Sequence, residues 1–257
     1  MRKEKGQIRW ELFLFIGCLI VFLLCTGYLV VRQKKDTESR LLFRELSEIV
    51  HKEKQNSSKQ QTEESLTEEA EGEKNRNLTQ MKKKNKDFVG WITIAGTTID
   101  YPVVKRDNSF YLTHDFYKKK SRFGVPFLDE TCSIKEKMMV IYGHHIRGKQ
   151  MFGALVDYEE KNYYENHKKI SWFTEDGACS YQIVRVLKLD VNQNENYIID
   201  SIHKKNEKEF QVWKQETEKL TILNTGEELE EKDAYIMLVT CEYSVKDGRL
   251  LILAKRE

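Results

Sequence analysis

The sequence lacks the signatures of several large protein classes. Its formal net charge is only +2 over 257 residues, which argues against a nucleic-acid-binding protein because such proteins carry a clear excess of positive charge. No CxxC pair and no Cys/His spacing typical of zinc ligands is present. The sequence therefore implies no metal site and no other cofactor.

Cysteine is scarce, and its distribution is informative. Of the five cysteines, Cys18 and Cys25 lie inside a long apolar run. The other three are Cys132, Cys179 and Cys241, an odd number for a domain that would sit outside a membrane, where thiols tend to pair. Spacing leaves open whether Cys132 and Cys179 form a disulfide.

One long uncharged segment stands near the N-terminus. Residues 12–31 read LFLFIGCLIVFLLCTGYLVV, which is about the length that a helix needs to cross a bilayer. A cleaved signal peptide would have a shorter apolar core and a small-residue cleavage site, whereas VRQKKDTESR follows here. We therefore expect an uncleaved transmembrane anchor. Basic residues flank it on both sides, so the positive-inside rule does not set its orientation.

A polar stretch separates this anchor from the rest of the chain. Residues 32–84 are rich in Lys, Glu, Gln, Ser and Asn, and the segment at residues 51–77 is too polar to bury a core. A short amphipathic patch at residues 42–50 predicts that part of the stretch is helical. The resulting organisation is a short tail (1–11), an anchor (12–31), a charged stalk (32–84) and one folded domain (85–257).

The folded domain has the sequence pattern of a mainly β protein. From residue 88 onward, short apolar runs alternate with turn signals, which predicts a β-barrel or sandwich. The eight strand-like segments are FVGWITI, TTIDYPVV, GVPFLD, KMMVIYG, KISWFT, CSYQIVRVLKL, DAYIMLV and RLLILAK. Two interruptions have helical spacing, at residues 151–167 and 197–220. The apolar stripe of the second, which we expect to pack in the core, consists of Ile199, Ile202, Phe210, Trp213 and Leu220.

Three reactive side chains stand at the ends or starts of predicted strands. His144 follows a strand and a glycine, Cys241 ends another strand after Thr240, and Arg249 opens the last strand. Histidine exchanges protons near neutral pH, a thiolate is a nucleophile that nearby positive charge favours, and arginine stabilises an oxyanion. Together they would supply an acid/base, a nucleophile and an electrostatic clamp. Sequence spacing alone does not bring His144 to Cys241.

The motifs in this order resemble those of the sortases, specifically class B. The similarity spans about residues 85–257 and includes WITIAGTTIDYPVV, DNSFYLTHDF, FGVPFLD, VIYGHHI and LVTCEYSVKDGRLLILAKR. It implies an eight-stranded sortase β-barrel with added helices, including a long helix between the sixth and seventh strands. The family's Leu-x-Thr-Cys motif matches residues 238–241, its Gly-His matches residues 143–144, and its arginine matches Arg249. Met237 departs from the threonine that the family often has.

The resemblance also implies a function and a location. Sortases are extracytoplasmic, membrane-anchored cysteine transpeptidases of Gram-positive bacteria. By this analogy Cys241 attacks a threonine carbonyl in the C-terminal sorting signal of a secreted protein and forms a thioacyl enzyme. An amine of a peptidoglycan cross-bridge then resolves it, with His144 transferring protons and Arg249 holding substrate and oxyanion. Thr240 and the backbone N–H of Glu242 are further candidates for substrate or oxyanion binding.

Several alternatives stay open at the level of sequence. His145 competes with His144, but neighbouring strand residues point to opposite faces and the family's histidine directly follows the glycine. A metal site on the two histidines lacks companion ligands. Glu242 or Asp247 would orient His144 if they formed a triad, although an Asp247-Gly248 turn is the simpler interpretation. The competing functions are a pilin-polymerising sortase, a thiol protease, and an anchored barrel that only binds a partner.

Overall fold

The computed structural model describes residues 4–51, 77–204, 206–244 and 246–257. The chain divides into two compact units, Met1–Phe43 and Arg44–Glu257. The predicted polar segment at residues 52–76 lies outside the described residues.

The N-terminal helix α1 spans Glu4–Val50. It contains the predicted anchor, and its most apolar window has a mean hydropathy of 2.7 with none of that window buried. By length and composition, α1 is the one helix among the described residues that qualifies to cross a membrane. It continues beyond residue 31, so the apolar run and the amphipathic patch at residues 42–50 belong to one helix.

The second unit is built around a β-sheet that closes on itself. Its strand order is β11-β10-β4-β3-β2-β1-β7-β8, and β8 pairs with β11 to complete an eight-stranded barrel. The eight predicted strands are these eight, so the predicted barrel is confirmed. β9 extends the sheet beside β8, and β5 and β6 form a separate hairpin.

The strands have the following bounds. They are β1 (Phe88–Thr93), β2 (Asp100–Lys105), β3 (Phe127–Leu128), β4 (Met138–Tyr142), β5 (His145–Ile146), β6 (Gln150–Met151), β7 (Lys169–Thr174), β8 (Gly177–Asp190), β9 (Thr221–Asn224), β10 (Tyr235–Glu242) and β11 (Gly248–Arg256). Apolar side chains at alternating and continuous positions fill the interior, and β4 and β10 are buried along nearly their whole length.

The helices differ in detail from the sequence prediction. Residues 77–84 form helix α2. The predicted helix at 151–167 consists of a 3₁₀ segment (Phe152–Glu159) and helix α3 (Lys161–Asn166), because Met151 ends β6 with a φ of +53° that a helix cannot contain.

The long insertion between β8 and β10 is helical, as the resemblance implied. It forms α4 (Tyr197–His203) and α5 (Glu207–Leu220) in place of one continuous helix. Asn206 ends the break as an N-cap, since its side chain accepts a hydrogen bond from the Glu209 N–H at 3.0 Å. Phe210 and Trp213 are buried as predicted, but Ile199 is 54% exposed, so its place in a buried stripe was wrong.

The last turns of α1 belong to the barrel unit and are held there by Asp100. This carboxylate, at the start of β2, accepts hydrogen bonds from the Ser47 hydroxyl, from His51 Nε2 at 2.9 Å and from Trp91 Nε1 at 2.6 Å. Burial opposes its ionisation, but the three hydrogen bonds and His51 bring the pKa of Asp100 below its ordinary value of 3.8. The buried Leu46 packs in the same region.

We expect Asp100→Ala to lower the free energy of unfolding by about 1–3 kcal/mol, because it leaves the Trp91 N–H without its acceptor. A lowered folded-state pKa means that the contribution is complete above the unfolded-state value and is lost as the pH falls through the folded-state value. The wild type should therefore lose stability below about pH 4, and the variant should lose less over that interval. Thermal unfolding of the full chain in detergent checks this, with Asp176→Ala on an exposed turn as the control. Equal effects of both substitutions would contradict it.

Candidate active site

The structure places Cys241 directly opposite Arg249. The two residues are register partners in the antiparallel pair β10–β11, and directly opposed residues of such a pair project from the same face of the sheet. Both are partly exposed. The thiol and the guanidinium are therefore neighbours on one surface, although eight residues separate them in the sequence.

Strand β4 brings His144 to the same end of the sheet. β4 runs parallel to β10, with Tyr142 beside Val239, and the Gly143 N–H donates to the Val239 carbonyl at 3.0 Å. The Thr240 hydroxyl donates to the Gly143 carbonyl at 2.9 Å. His144 therefore leaves its strand beside Cys241. The hydroxyl of Thr240 already serves this tie between strands, and a role for Thr240 in substrate binding stays a prediction.

The ring of His144 is oriented by a backbone carbonyl. Its Nε2 lies 2.7 Å from the carbonyl oxygen of Leu112, at the end of the 3₁₀ turn Phe110–Leu112. A carbonyl only accepts hydrogen bonds, so Nε2 carries the hydrogen. In the neutral ring, Nδ1 is then the nitrogen that is able to accept a proton from a reacting group.

Gly124 shapes the space behind this histidine. Its φ is +61°, and a Cβ there would lie 3.2 Å from His144 Cδ2 and 3.3 Å from the Leu112 carbonyl oxygen. It would also overlap the Tyr111 carbonyl oxygen. A side chain at residue 124 is therefore incompatible with the position of the turn and would displace the His144 ring slightly.

His145 has a different set of contacts. Its Nδ1 lies 3.0 Å from the carbonyl oxygen of Cys241, and its ring packs against Tyr243 with centroids 5.1 Å apart. These contacts tie the β5–β6 hairpin to the end of β10. They support His144 as the candidate acid/base. The described residues contain no cluster of three or more His, Cys, Asp or Glu side chains arranged to hold a metal ion.

The acidic residues of the β10–β11 turn do not orient His144. The Glu242 carboxylate accepts hydrogen bonds from the backbone N–H of Ser244 at 2.7 Å and from its hydroxyl at 2.6 Å. Burial opposes the ionisation of Glu242, but these bonds and Lys188, at 3.9 Å, bring its pKa below the ordinary value. Asp247 accepts a bond from Asn192 and adopts a left-handed φ of +56°. The alternative of an acidic triad member on this turn was wrong, and the turn interpretation of Asp247-Gly248 was right.

Arg249 is held by its own neighbour. Its Nη1 donates to the Gly248 carbonyl at 2.9 Å, which leaves further guanidinium N–H groups for a ligand. The side chain is only partly exposed, so an anion bound there would be partly desolvated and would interact more strongly than on an open surface.

All five cysteines are free thiols. Cys132 is buried, and its thiol donates to the Met138 carbonyl at 3.7 Å. Burial raises the pKa of Cys132 to about 11, which disfavours its reactive thiolate. The structure therefore answers the open question about Cys132 and Cys179: they are not paired.

Comparison with known proteins agrees with this geometry. The Sortase domain family model matches residues 92–257. Sortase B of Staphylococcus aureus (strain NCTC 8325 / PS 47) is 33% identical over 180 residues, which cover 68% of this chain and 72% of the relative. Sortase B of Listeria monocytogenes serovar 1/2a is 31% identical over 199 residues, covering 76% of this chain and 79% of the relative.

Solved structures show the same fold. The Staphylococcus aureus sortase B–substrate complex superposes with a TM-score of 0.72 at 27% identity, over 87% of this chain and 98% of that chain. The 2.0 Å crystal structure of Staphylococcus aureus sortase B is 32% identical with a TM-score of 0.64, over 70% of this chain and 86% of that chain.

The family match covers more than half of the chain and includes the three strand ends that carry His144, Cys241 and Arg249. The chain belongs to the sortase family, whose members are cysteine transpeptidases that act on proteins bearing sorting signals.

Proposed function

We propose that the chain is a class B sortase that cleaves the sorting signal of secreted proteins after a threonine and joins the new C-terminus to an amine of cell-wall peptidoglycan. The observation that carries this proposal is the strand pairing at the site. β10 places Cys241 opposite Arg249 of β11, and the parallel strand β4 delivers His144 beside them. A thiol, a guanidinium and an imidazole thus lie at one edge of the barrel, which supports their proposed roles as nucleophile, electrostatic clamp and acid/base.

The reaction follows from these three groups. The Cys241 thiolate attacks the threonine carbonyl carbon, and the resulting oxyanion is stabilised by Arg249. A backbone N–H of Glu242 would be a second donor. The C–N bond then breaks as His144 protonates the leaving amine, which leaves a thioacyl enzyme. The incoming amine loses a proton to His144 and attacks the thioester. A new amide forms, and the C–S bond breaks to release the Cys241 thiolate, with His144 again protonated as at the start of the cycle.

The membrane topology is part of the proposal. The apolar helix α1 supports an anchor at residues 12–31, with residues 1–11 as a short cytoplasmic tail. Residues 32–84 are the charged stalk, of which the segments 44–50 and 77–84 belong to the barrel unit. The catalytic domain at 85–257 would then lie outside the cytoplasm, where secreted proteins and peptidoglycan amines are found. A single-pass anchor holds it at the membrane.

The full chain in detergent micelles, incubated with fluorogenic sorting-signal peptides, tests this function. We expect cleavage that yields an acceptor-ligated product when triglycine is added, detected by mass spectrometry. Cys241→Ala should abolish both the thioacyl intermediate and the product, and Arg249→Ala should lower kcat by about 10²–10³-fold because it removes an oxyanion donor. Arg249→Lys keeps the charge and serves as the matched comparison.

Four results would contradict the proposal when that assay is also run with a lysine-bearing acceptor protein. Activity retained in Cys241→Ala would remove the thiol from the mechanism. Hydrolysis without any preference for the amine acceptor would identify a thiol protease. Ligation to a lysine side chain of a second protein, in place of triglycine, would identify a pilin-polymerising enzyme. If no peptide is turned over, the chain is better described as a binding module.

The thiols should also differ in reactivity. We expect iodoacetamide at neutral pH to alkylate the partly exposed Cys241 much faster than the buried Cys132, because burial raises the pKa of Cys132 to about 11. Peptide mapping by mass spectrometry measures both sites in one sample, so Cys132 is an internal control. Equal rates in the folded chain would show that Cys241 is not an accessible nucleophile.

Gly124 should act as a positioning residue for His144. We expect Gly124→Ala to lower kcat about 10–100-fold with little change in KM, because a small displacement of a catalytic group costs about that much. Gly226→Ala is the matched control, since Gly226 also has a positive φ, of +90°, but its Cβ would meet nothing within 4 Å. Equal losses of kcat in the two variants would indicate backbone strain alone.

A second measurement addresses the tautomer directly and does not depend on turnover. In the chain labelled with ¹⁵N-histidine, neutral His144 should show its hydrogen on Nε2, as the Leu112 contact requires. A hydrogen on Nδ1 in the wild type would contradict this account of how the ring is held.

A further inference from the structure

The charges of the barrel unit are unevenly distributed. Residues 77–125 contain ten basic and four acidic residues, a net charge of +6, whereas residues 126–257 contain 19 basic and 24 acidic residues, a net charge of −5. The small net charge of the chain therefore conceals one segment with a positive net charge and one with a negative net charge. Such a separation orients a protein in the field of a charged partner.

The fold concentrates this positive charge by joining two lysine-rich segments, residues 82–86 and 117–122. The Asn85 side chain donates to the Phe116 carbonyl at 2.9 Å, and Lys84 Nζ donates to the Tyr117 hydroxyl at 3.4 Å. Lys118 Nζ lies 2.8 Å from Asp87 Oδ2. We name the resulting surface the basic face; its exposed lysines are Lys83, Lys84, Lys86, Lys118, Lys119 and Lys120.

Most of these lysines have no role within the fold. Lys118 pairs with Asp87, and Lys84 contacts Tyr117. In the described part of the chain, the other four lysines, Lys83, Lys86, Lys119 and Lys120, form no ion pair with a carboxylate. Crowding like charges costs free energy, and an external anionic partner would offset that cost.

The chemistry of the basic face fits an extended anionic surface better than a single small anion. Lysine presents a compact, hydrated charge on a flexible stem, whereas arginine provides the fixed fork suited to bidentate recognition of one carboxylate or phosphate. Of the seven exposed cations in residues 82–86 and 117–122, six are lysines, and the seventh, Arg122, lies over the ring of Phe123. The ammonium groups of the lysines therefore suit many anionic groups spread over a surface.

We propose that the basic face docks on the anionic phospholipid headgroups of the membrane that α1 is suited to cross. Each lysine near an anionic bilayer contributes about 1 kcal/mol of attraction. A barrel confined near the bilayer by its own chain meets the headgroups at high effective concentration, so weak contacts suffice. This proposal is independent of the transpeptidase chemistry and stands if that chemistry differs.

Docking would also set the position of the candidate active site. The loop at residues 113–122 connects Leu112, whose carbonyl holds His144, to the region of Gly124. The basic face therefore borders the groups that position His144. With this face on the headgroups, the site would stand at the edge of the lipid surface and not far out in solution.

The test uses the full chain held in phosphatidylcholine nanodiscs, so that its barrel is free to bind a second membrane. These discs are mixed with vesicles of phosphatidylcholine alone or with phosphatidylglycerol added, and binding is measured by flotation. We expect binding only to the anionic vesicles, and loss of that binding when salt is raised from about 0.1 M to about 0.5 M. Empty discs are the blank.

Two variants with the same change in net charge locate the binding surface. One replaces the unpaired lysines of the basic face (Lys83→Gln, Lys86→Gln, Lys119→Gln and Lys120→Gln). The control replaces four exposed lysines from the acidic remainder (Lys135→Gln, Lys161→Gln, Lys208→Gln and Lys219→Gln). We expect at least about a tenfold loss of apparent affinity in the first and less than about a threefold loss in the second. Thermal unfolding verifies that both are folded.

Any result other than these would overturn the proposal. Equal losses in the two variants would show that net charge, and not the basic face, drives binding. Absence of wild-type binding to anionic vesicles would also refute it. If the wild type ignores the vesicles but binds soluble inorganic polyphosphate through these lysines, then the basic face is a site for a soluble polyanion.

Discussion

The candidate site depends on the position of one strand, β10. It pairs with β4 in parallel and with β11 in antiparallel orientation, and each pairing fixes one partner of Cys241. The antiparallel pairing sets Arg249 opposite the thiol, and the parallel pairing carries the end of β4 to the same edge. A shift of one residue in either register would turn side chains to the opposite face. The buried side chains of β10, which fix the register, therefore also keep Cys241 beside Arg249 at the exposed end of the strand.

Among the residues that the structure describes, the elements around this edge hold His144 through a backbone carbonyl and without an acidic partner. A carbonyl at the end of a 3₁₀ turn takes the place that a carboxylate has in a Ser-His-Asp triad, and the glycine behind the ring makes room for both. The carboxylate of Glu242 instead stabilises the β10–β11 turn. The candidate site therefore combines the charged guanidinium of Arg249 on one side with a neutral backbone carbonyl that orients His144 on the other.

The barrel also separates its charges. Its positive segments gather on one surface beside the turn that holds His144, and the acidic excess is spread over the rest of the domain. If the basic face docks as proposed, this surface would link the candidate site to the membrane, because it lies near the turn that holds His144. The apolar helix α1 and the basic face would then both affect where the barrel lies.

The sequence by itself determined the barrel strands and the apolar helix and indicated the three candidate site residues, because alternating burial, uninterrupted hydrophobicity and residue type are local properties of the chain. It also indicated an insertion rich in helix between β8 and β10. It missed the break at Asn206 and the exposed Ile199, and it extended a helix over Met151, since caps and positive φ angles depend on neighbours that a periodic pattern does not contain.

Only the tertiary structure decided which groups meet. The contact of His144 with the Leu112 carbonyl has no sequence signal, because every residue has a carbonyl and the two lie 32 residues apart. The same holds for the meeting of residues 82–86 with residues 117–122, which are unremarkable lysine runs until the fold joins them. The chemistry of each side chain follows from its residue type alone. Which side chains lie close together depends on strand register and chain reversal, which are properties of the whole barrel.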